Sequence, residues 1–160
     1  VDRRNKLEAL LKSCEVTEKE FHKYRAAVEK VVLVRQADYE SVKNRYNALD
    51  TRVKSLLIES KAIFSGESTA SKNVIAIQSF LKRLSKEMSM LTELIGQKES
   101  ELQSALNRLS IADQDLVNAR IEKQKIDKLI QSIDDFSKIK EAASEDFALD
   151  ELATIRSRNK

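Results

Sequence analysis

Apolar residues recur at positions 74, 77, 81, 84, 88, 91, 95, 98, 102, 105, 109, 112, 116, 119, 123, 126, 130 and 133. The steps alternate three and four and never slip. Sixteen of the eighteen positions are apolar, with Lys98 and Lys123 the exceptions. A row kept in phase over that distance is a heptad seam, the one surface on which a long helix can bury itself against another. Ala105, Ala112 and Ala119 recur every seven residues along it, so a partner helix can approach more closely there.

An earlier series runs through positions 7, 10, 14, 17, 21, 24, 28, 32, 35, 39, 42, 46, 49, 53, 56, 60 and 63. Fourteen of the seventeen are apolar; Thr17, Arg35 and Ser60 are not. One extra step of four, between Val28 and Val32, reads as a stutter, which locally unwinds a supercoil. The two series are separated by Ser65-Gly66-Glu67-Ser68-Thr69-Ala70-Ser71, the one good turn signal in the chain. Gly66 suits a left-handed residue closing the first helix, and Ser68, Thr69 and Ser71 are N-cap candidates for the second.

The composition agrees. The 160 residues include no Pro and two Gly, where an average chain of this length carries about eight and about eleven. Without that turn material, sandwiches, barrels and doubly wound α/β folds are excluded. The expected fold is all-α: two long helices in an antiparallel coiled-coil hairpin, the second longer than the first. The whole chain, 1–160, reads as one such hairpin. Helix one covers about 3–64, the turn about 65–71 and helix two about 72–150, with a tail that frays or orders against a partner. If Ile63 faces Val74, Leu7 falls opposite roughly Ile130, so residues from about 134 onward lack an intramolecular partner. That overhang carries Phe136, Ile139, Phe147, Leu149, Leu152 and Ile155, with seven acids against two bases between Asp134 and Glu151. The stretch from Thr51 to Met90, which includes the turn, has the opposite sign: seven bases and three acids.

The formal net charge of +3 is too balanced to imply nucleic acid or an anionic membrane surface. The longest charge-free run, Asn73 to Leu81, is too short to cross a bilayer, so direct membrane insertion is not expected. The N-terminal residues lack the apolar core of a signal peptide. A single Cys makes no internal disulfide, and a cytosolic location is the simplest reading. No catalytic constellation is present. His22 is the one His, which rules out a two-His zinc site or a His-paired relay; it reads as a half-exposed helical residue. Cys14 reads as a buried seam thiol. Gly-rich phosphate loops are absent. Enzyme activity and cofactors, metals included, are therefore not expected. Tyr39, Tyr46, Phe64 and Phe80 cluster near the turn, and Phe80 lies off the seam, where an aromatic serves docking.

Three local patterns go beyond generic heptads. Asn44-Arg45-Tyr46-Asn47 is followed by Gly66-Glu67-Ser68-Thr69 and Ala76-Ile77-Gln78-Ser79-Phe80-Leu81. Leu149-Asp150-Glu151-Leu152-Ala153 precedes Arg156 and Arg158, and Arg3-Arg4 precedes Leu7, Leu10 and Leu11. With the two-helix organisation, these resemble the FliJ/YscO family of type III export stalk proteins, and the long, regular second helix favours its virulence branch. The resemblance implies a non-enzymatic coiled coil similar to the γ stalk of rotary ATPases, cytoplasmic and peripheral at the inner-membrane export apparatus. Its open end would engage the hexameric type III secretion ATPase through Arg3, Arg4, Phe147, Leu149, Asp150, Glu151, Leu152 and Arg156. Its tip would reach the cytosolic domain of the export gate through Tyr39, Tyr46, Phe80 and Leu84. Some members bind export chaperones. The alternative is a structural coiled-coil tether or scaffold segment unrelated to secretion. The break at 65–71 favours a hairpin over a parallel rod.

Overall fold

The computed structural model describes residues 2–64 and 71–159. It contains two helices, α1 (Asp2–Phe64) and α2 (Ser71–Arg158), of 63 and 88 residues. No strand occurs among the described residues. The fold is the expected one, two long helices packed together with the second longer. The turn signal at 65–70, with Gly66, Ser68 and Thr69, lies outside the described residues. Asp2 in the first turn of α1 and Arg156 and Arg158 in the last turn of α2 complement the helix dipoles. Asn159 closes α2, its N–H donating to the Ile155 carbonyl at 3.2 Å.

The chain divides into two units. A terminal unit holds Val1–Arg25 and Ala112–Lys160, and a central unit holds Ala26–Ile111. Within each, α1 and α2 run antiparallel. In the terminal unit Arg4 meets Asp134 and Arg25 meets Asp113; in the central unit Arg35 meets Glu101. These pairs follow the register that sets Leu7 opposite Ile130.

The α2 seam is as the heptads dictate. Each of its eighteen positions is buried or half-buried. Leu84, Leu91, Leu102, Ala105, Ala112 and Leu116 are its most enclosed members, and Ala112 is fully buried. The α1 seam departs from expectation in its first third and at its last position, where Ile63 is exposed. Leu11, Glu18 and Arg25 are half-buried, whereas Leu10, Thr17 and Tyr24 are exposed. The row actually used is 7, 11, 14, 18, 21, 25, 28 and 32, continuing through 35, 39, 42, 46, 49, 53, 56 and 60. Its steps alternate four and three throughout, so the stutter is absent. A stutter would unwind α1 locally against an α2 seam that has none. Keeping step places two charged residues on the seam, and cross-helix ion pairs offset that cost. Ser60, an exception by composition, is buried, and its hydroxyl donates to the Leu57 carbonyl at 3.0 Å.

Candidate protein-binding surfaces

Coiled coils bind through what their seams leave over. In the terminal unit that remainder is the far end of α2. Every residue from Asp135 to Asn159 is exposed, yet the segment stays helical to Arg158. Phe136, Ile139 and Phe147 are about two-thirds exposed, and Leu149, Leu152 and Ile155 more than half. These six do not form one surface. At about 100° per residue, Phe136, Ile139, Ala143 and Phe147 share one stripe. Leu149 lies about 200° round the helix from Phe147, on the far side. There Leu149, Leu152, Ala153 and Arg156 line a shallow recess. Nor does either group prolong the seam. Stepping on from Ile133 by four and three reaches Ser137, Lys140, Ser144, Phe147 and Glu151, which is mostly polar.

The sequence-derived contacts at this end are therefore spread out. Phe147, Leu149, Asp150, Glu151, Leu152 and Arg156 are all exposed on the overhang, over two faces. Arg3 is exposed on the first turns of α1. Arg4 is engaged within the fold, with Nε 3.2 Å from Glu8 Oε1 and Nη1 3.4 Å from Asp134 Oδ1. It ties the start of α1 to the last paired turn of α2.

In the central unit, the Tyr39 and Tyr46 rings are half-buried at the seam. Lys43 Nζ sits 5.6 Å from the Tyr39 ring centre. Phe80 is half-buried, and the Arg52 guanidinium lies 5.4 Å from its ring centre, a cross-helix cation–π contact. Leu84 is 5% exposed. Its side chain holds the helix pair together and offers no accessible contact in the free chain.

Sequence reasoning missed the polar clasp of the terminal unit. Glu18 receives Lys123 at 3.3 Å and Arg120 at 3.4 Å, and Arg25 pairs with Asp113. The hydrogen bond from Lys123, helped by its charge and by Arg120, holds the Glu18 carboxyl below its ordinary value against an opposing contribution from burial. The signal was present as opposite charges one heptad apart, Glu18 and Arg25, but only the row 11, 18, 25 exposes it.

Two grooves flank the terminal seam. One is polar, walled by Glu15, Glu18, His22, Arg120 and Lys123. The other, about 580 Å³, is floored by Cys14, Phe21, Ala119 and Ile126. Leu10 and Thr17 form its α1 wall, and Asp115 and Glu122 its α2 wall. His22 is exposed, and Cys14 is a free, half-buried thiol lining this groove rather than a fully buried one.

No group of three or more His, Cys, Asp or Glu residues could hold a metal ion among the described residues. No described helix is long and apolar enough to cross a membrane. Fold and surfaces thus define an antiparallel two-helix coiled coil with an uncovered helical end. The flagellar FliJ protein family matches residues 25–160, and the chain belongs to that family of coiled-coil proteins of the flagellar and type III export apparatus. The match spans the overhang contacts and the Tyr39 to Leu84 group, while Arg3 and Arg4 fall before it. It carries the flagellar description and lends the virulence branch no support. No curated protein and no solved structure matches the chain.

Proposed function

We propose that the chain is a central-stalk-like component of a type III export apparatus. It links the hexameric export ATPase to the cytosolic domain of the membrane export gate, with export chaperones as further partners. It works in the cytoplasm, peripheral to the inner membrane. The observation that carries this reading is the overhang: 25 consecutive residues, 135–159, all exposed, with large apolar side chains and an acidic bias. Large apolar side chains held on an ordered helix in water suit a partner's surface. Arg3 and the overhang belong to the same unit.

In this reading Phe147, Leu149, Asp150, Glu151, Leu152 and Arg156 engage the ATPase, and Arg3 and Arg4 engage it from the start of α1. Tyr39, Tyr46 and Phe80 face the gate, and Leu84, a buried seam residue, holds the helix pair together nearby. Nothing in the role asks the chain to do covalent chemistry.

The test is ATP hydrolysis by a purified export ATPase, flagellar and injectisome versions in parallel, with and without the full chain. Stimulation of one of them, abolished by Leu149→Glu with Leu152→Glu, supports the stalk role and assigns the branch. Absence of both binding and stimulation returns the chain to a structural tether.

A further inference from the structure

The register chosen by α1 leaves apolar residues over. Leu10 and Tyr24 lose the seam to Leu11 and Arg25, and both are about half exposed. Leu10 then forms a wall of the apolar groove. On α1 the groove is lined at positions 10, 14, 17 and 21; on α2 it is lined at 115, 118, 119, 122 and 126. The α1 row steps by four, three and four, and 115, 119, 122 and 126 do the same, with Asn118 beside them. That is the spacing with which one helix presents holes to the knobs of another. Two such rows, one on each helix and side by side, suit a third helix lying along the pair. From Leu10 to Phe21 the groove runs three turns, about 17 Å.

Charge selects the occupant. The lining residues include two acids, Asp115 and Glu122, and no base. The groove across the seam carries both signs with bases in excess: Lys19, Lys23, Arg120 and Lys123 against Glu15 and Glu18. Asp115 is half-buried. Glu122 is held at 3.3 Å by Lys125 of its own helix, an exposed pair that a competing cation displaces at little cost.

We propose that this groove docks a third helix from a partner protein, one that carries a heptad apolar row flanked by Lys or Arg. The partner's apolar row covers Cys14, Phe21, Ala119 and Ile126, and its basic flank meets Asp115 and Glu122. This site is separate from the overhang and does not depend on the stalk reading.

The full chain supplies its own reporter, because Cys14 is its one cysteine and lines the groove. Two synthetic helical peptides are compared, with one apolar heptad row in common and either Lys or Glu on the flanks. The acidic overhang also attracts a basic peptide, but shielding of the Cys14 thiol from a small alkylating reagent reports groove occupancy alone. The expected result is that the Lys peptide slows Cys14 alkylation several-fold and the Glu peptide does not. Asp115→Lys with Glu122→Lys should exchange that preference, and the milder Asp115→Asn should weaken it with helicity unchanged. Equal shielding by both peptides, shielding by neither, or indifference to the charge reversal overturns the proposal. Shielding that rises with chain concentration in the absence of peptide also overturns it, by assigning the groove to a second copy.

Discussion

In the central unit six apolar side chains, from Val28 to Ala105, are almost wholly buried; among the described residues of the terminal unit only Ala112 and Leu116 are. The terminal unit leans on ion pairs at Arg4, Glu18 and Arg25, all partly open to water, where the central unit adds Arg35 with Glu101 to its buried core. Fully burying an aliphatic side chain stabilises by about 1.5–3 kcal/mol, whereas an exposed ion pair contributes about 0–1. The same helix pair is therefore held firmly in one unit and lightly in the other. The lightly held unit is the one with the uncovered overhang and the apolar groove. Surfaces that must accommodate partners are drawn from the less stable end of a structure.

The comparison breaks most readily at Leu91, which is 5% exposed in the central unit. Leu91→Ala should cost about 2–5 kcal/mol in urea unfolding, while Leu10→Ala in the terminal unit should cost well under half as much. Equal losses would mean that the two units share one core. Ala112→Leu probes the border of the terminal unit, where the native side chain is fully buried; overpacking should cost about 1–3 kcal/mol and lower the thermal midpoint. Gly96 sits in the interior of α2, and a Cβ built there meets nothing within 4 Å. Gly96→Ala should therefore stabilise the central unit by about 0.4–1 kcal/mol, seen as a higher urea midpoint.

The most local effect concerns pH. The Glu18 carboxyl is held below its ordinary value by Lys123. Its stabilising contribution is present above the unfolded-state value and is lost as pH falls through the lower folded-state value. Amide exchange followed on acidification should show α1 residues 7–28 losing protection before residues 32–56. Simultaneous loss would show that Glu18 does not clasp the terminal unit. Glu18→Gln should remove the difference.

The α2 seam was legible because that stretch offers one apolar row and no rival. The α1 seam was legible only from Val28 onward. Before it the helix carries two rows, and counting apolar residues favours Leu10 and Tyr24 over Glu18 and Arg25. The fold decides by another criterion, unbroken step with α2, and that information sits on the other helix. The overhang was readable from relative helix lengths, but its division into two faces needed the angular position of each side chain. The α1 side of the apolar groove, at 10, 14, 17 and 21, was read as seam, and it becomes a groove only once α1 has turned Leu10 outward. Leu84 is a different case. Placed among tip contacts by resemblance, it lies under the surface because it is also a seam residue.

The stripe of Phe136, Ile139, Ala143 and Phe147 starts about 100° out of phase with the seam that ends at Ile133. A helix following α1's path further along α2 would ride over Ser137, Lys140 and Ser144 and leave most of that stripe in water. The continued seam and the apolar stripe therefore lie on different azimuths of one helix and meet only at Phe147. Occupying the stripe need not pry α1 loose, and tightening α1 need not hide the stripe. The grip of the molecule on itself and its grip on a partner can then be tuned by separate sets of residues.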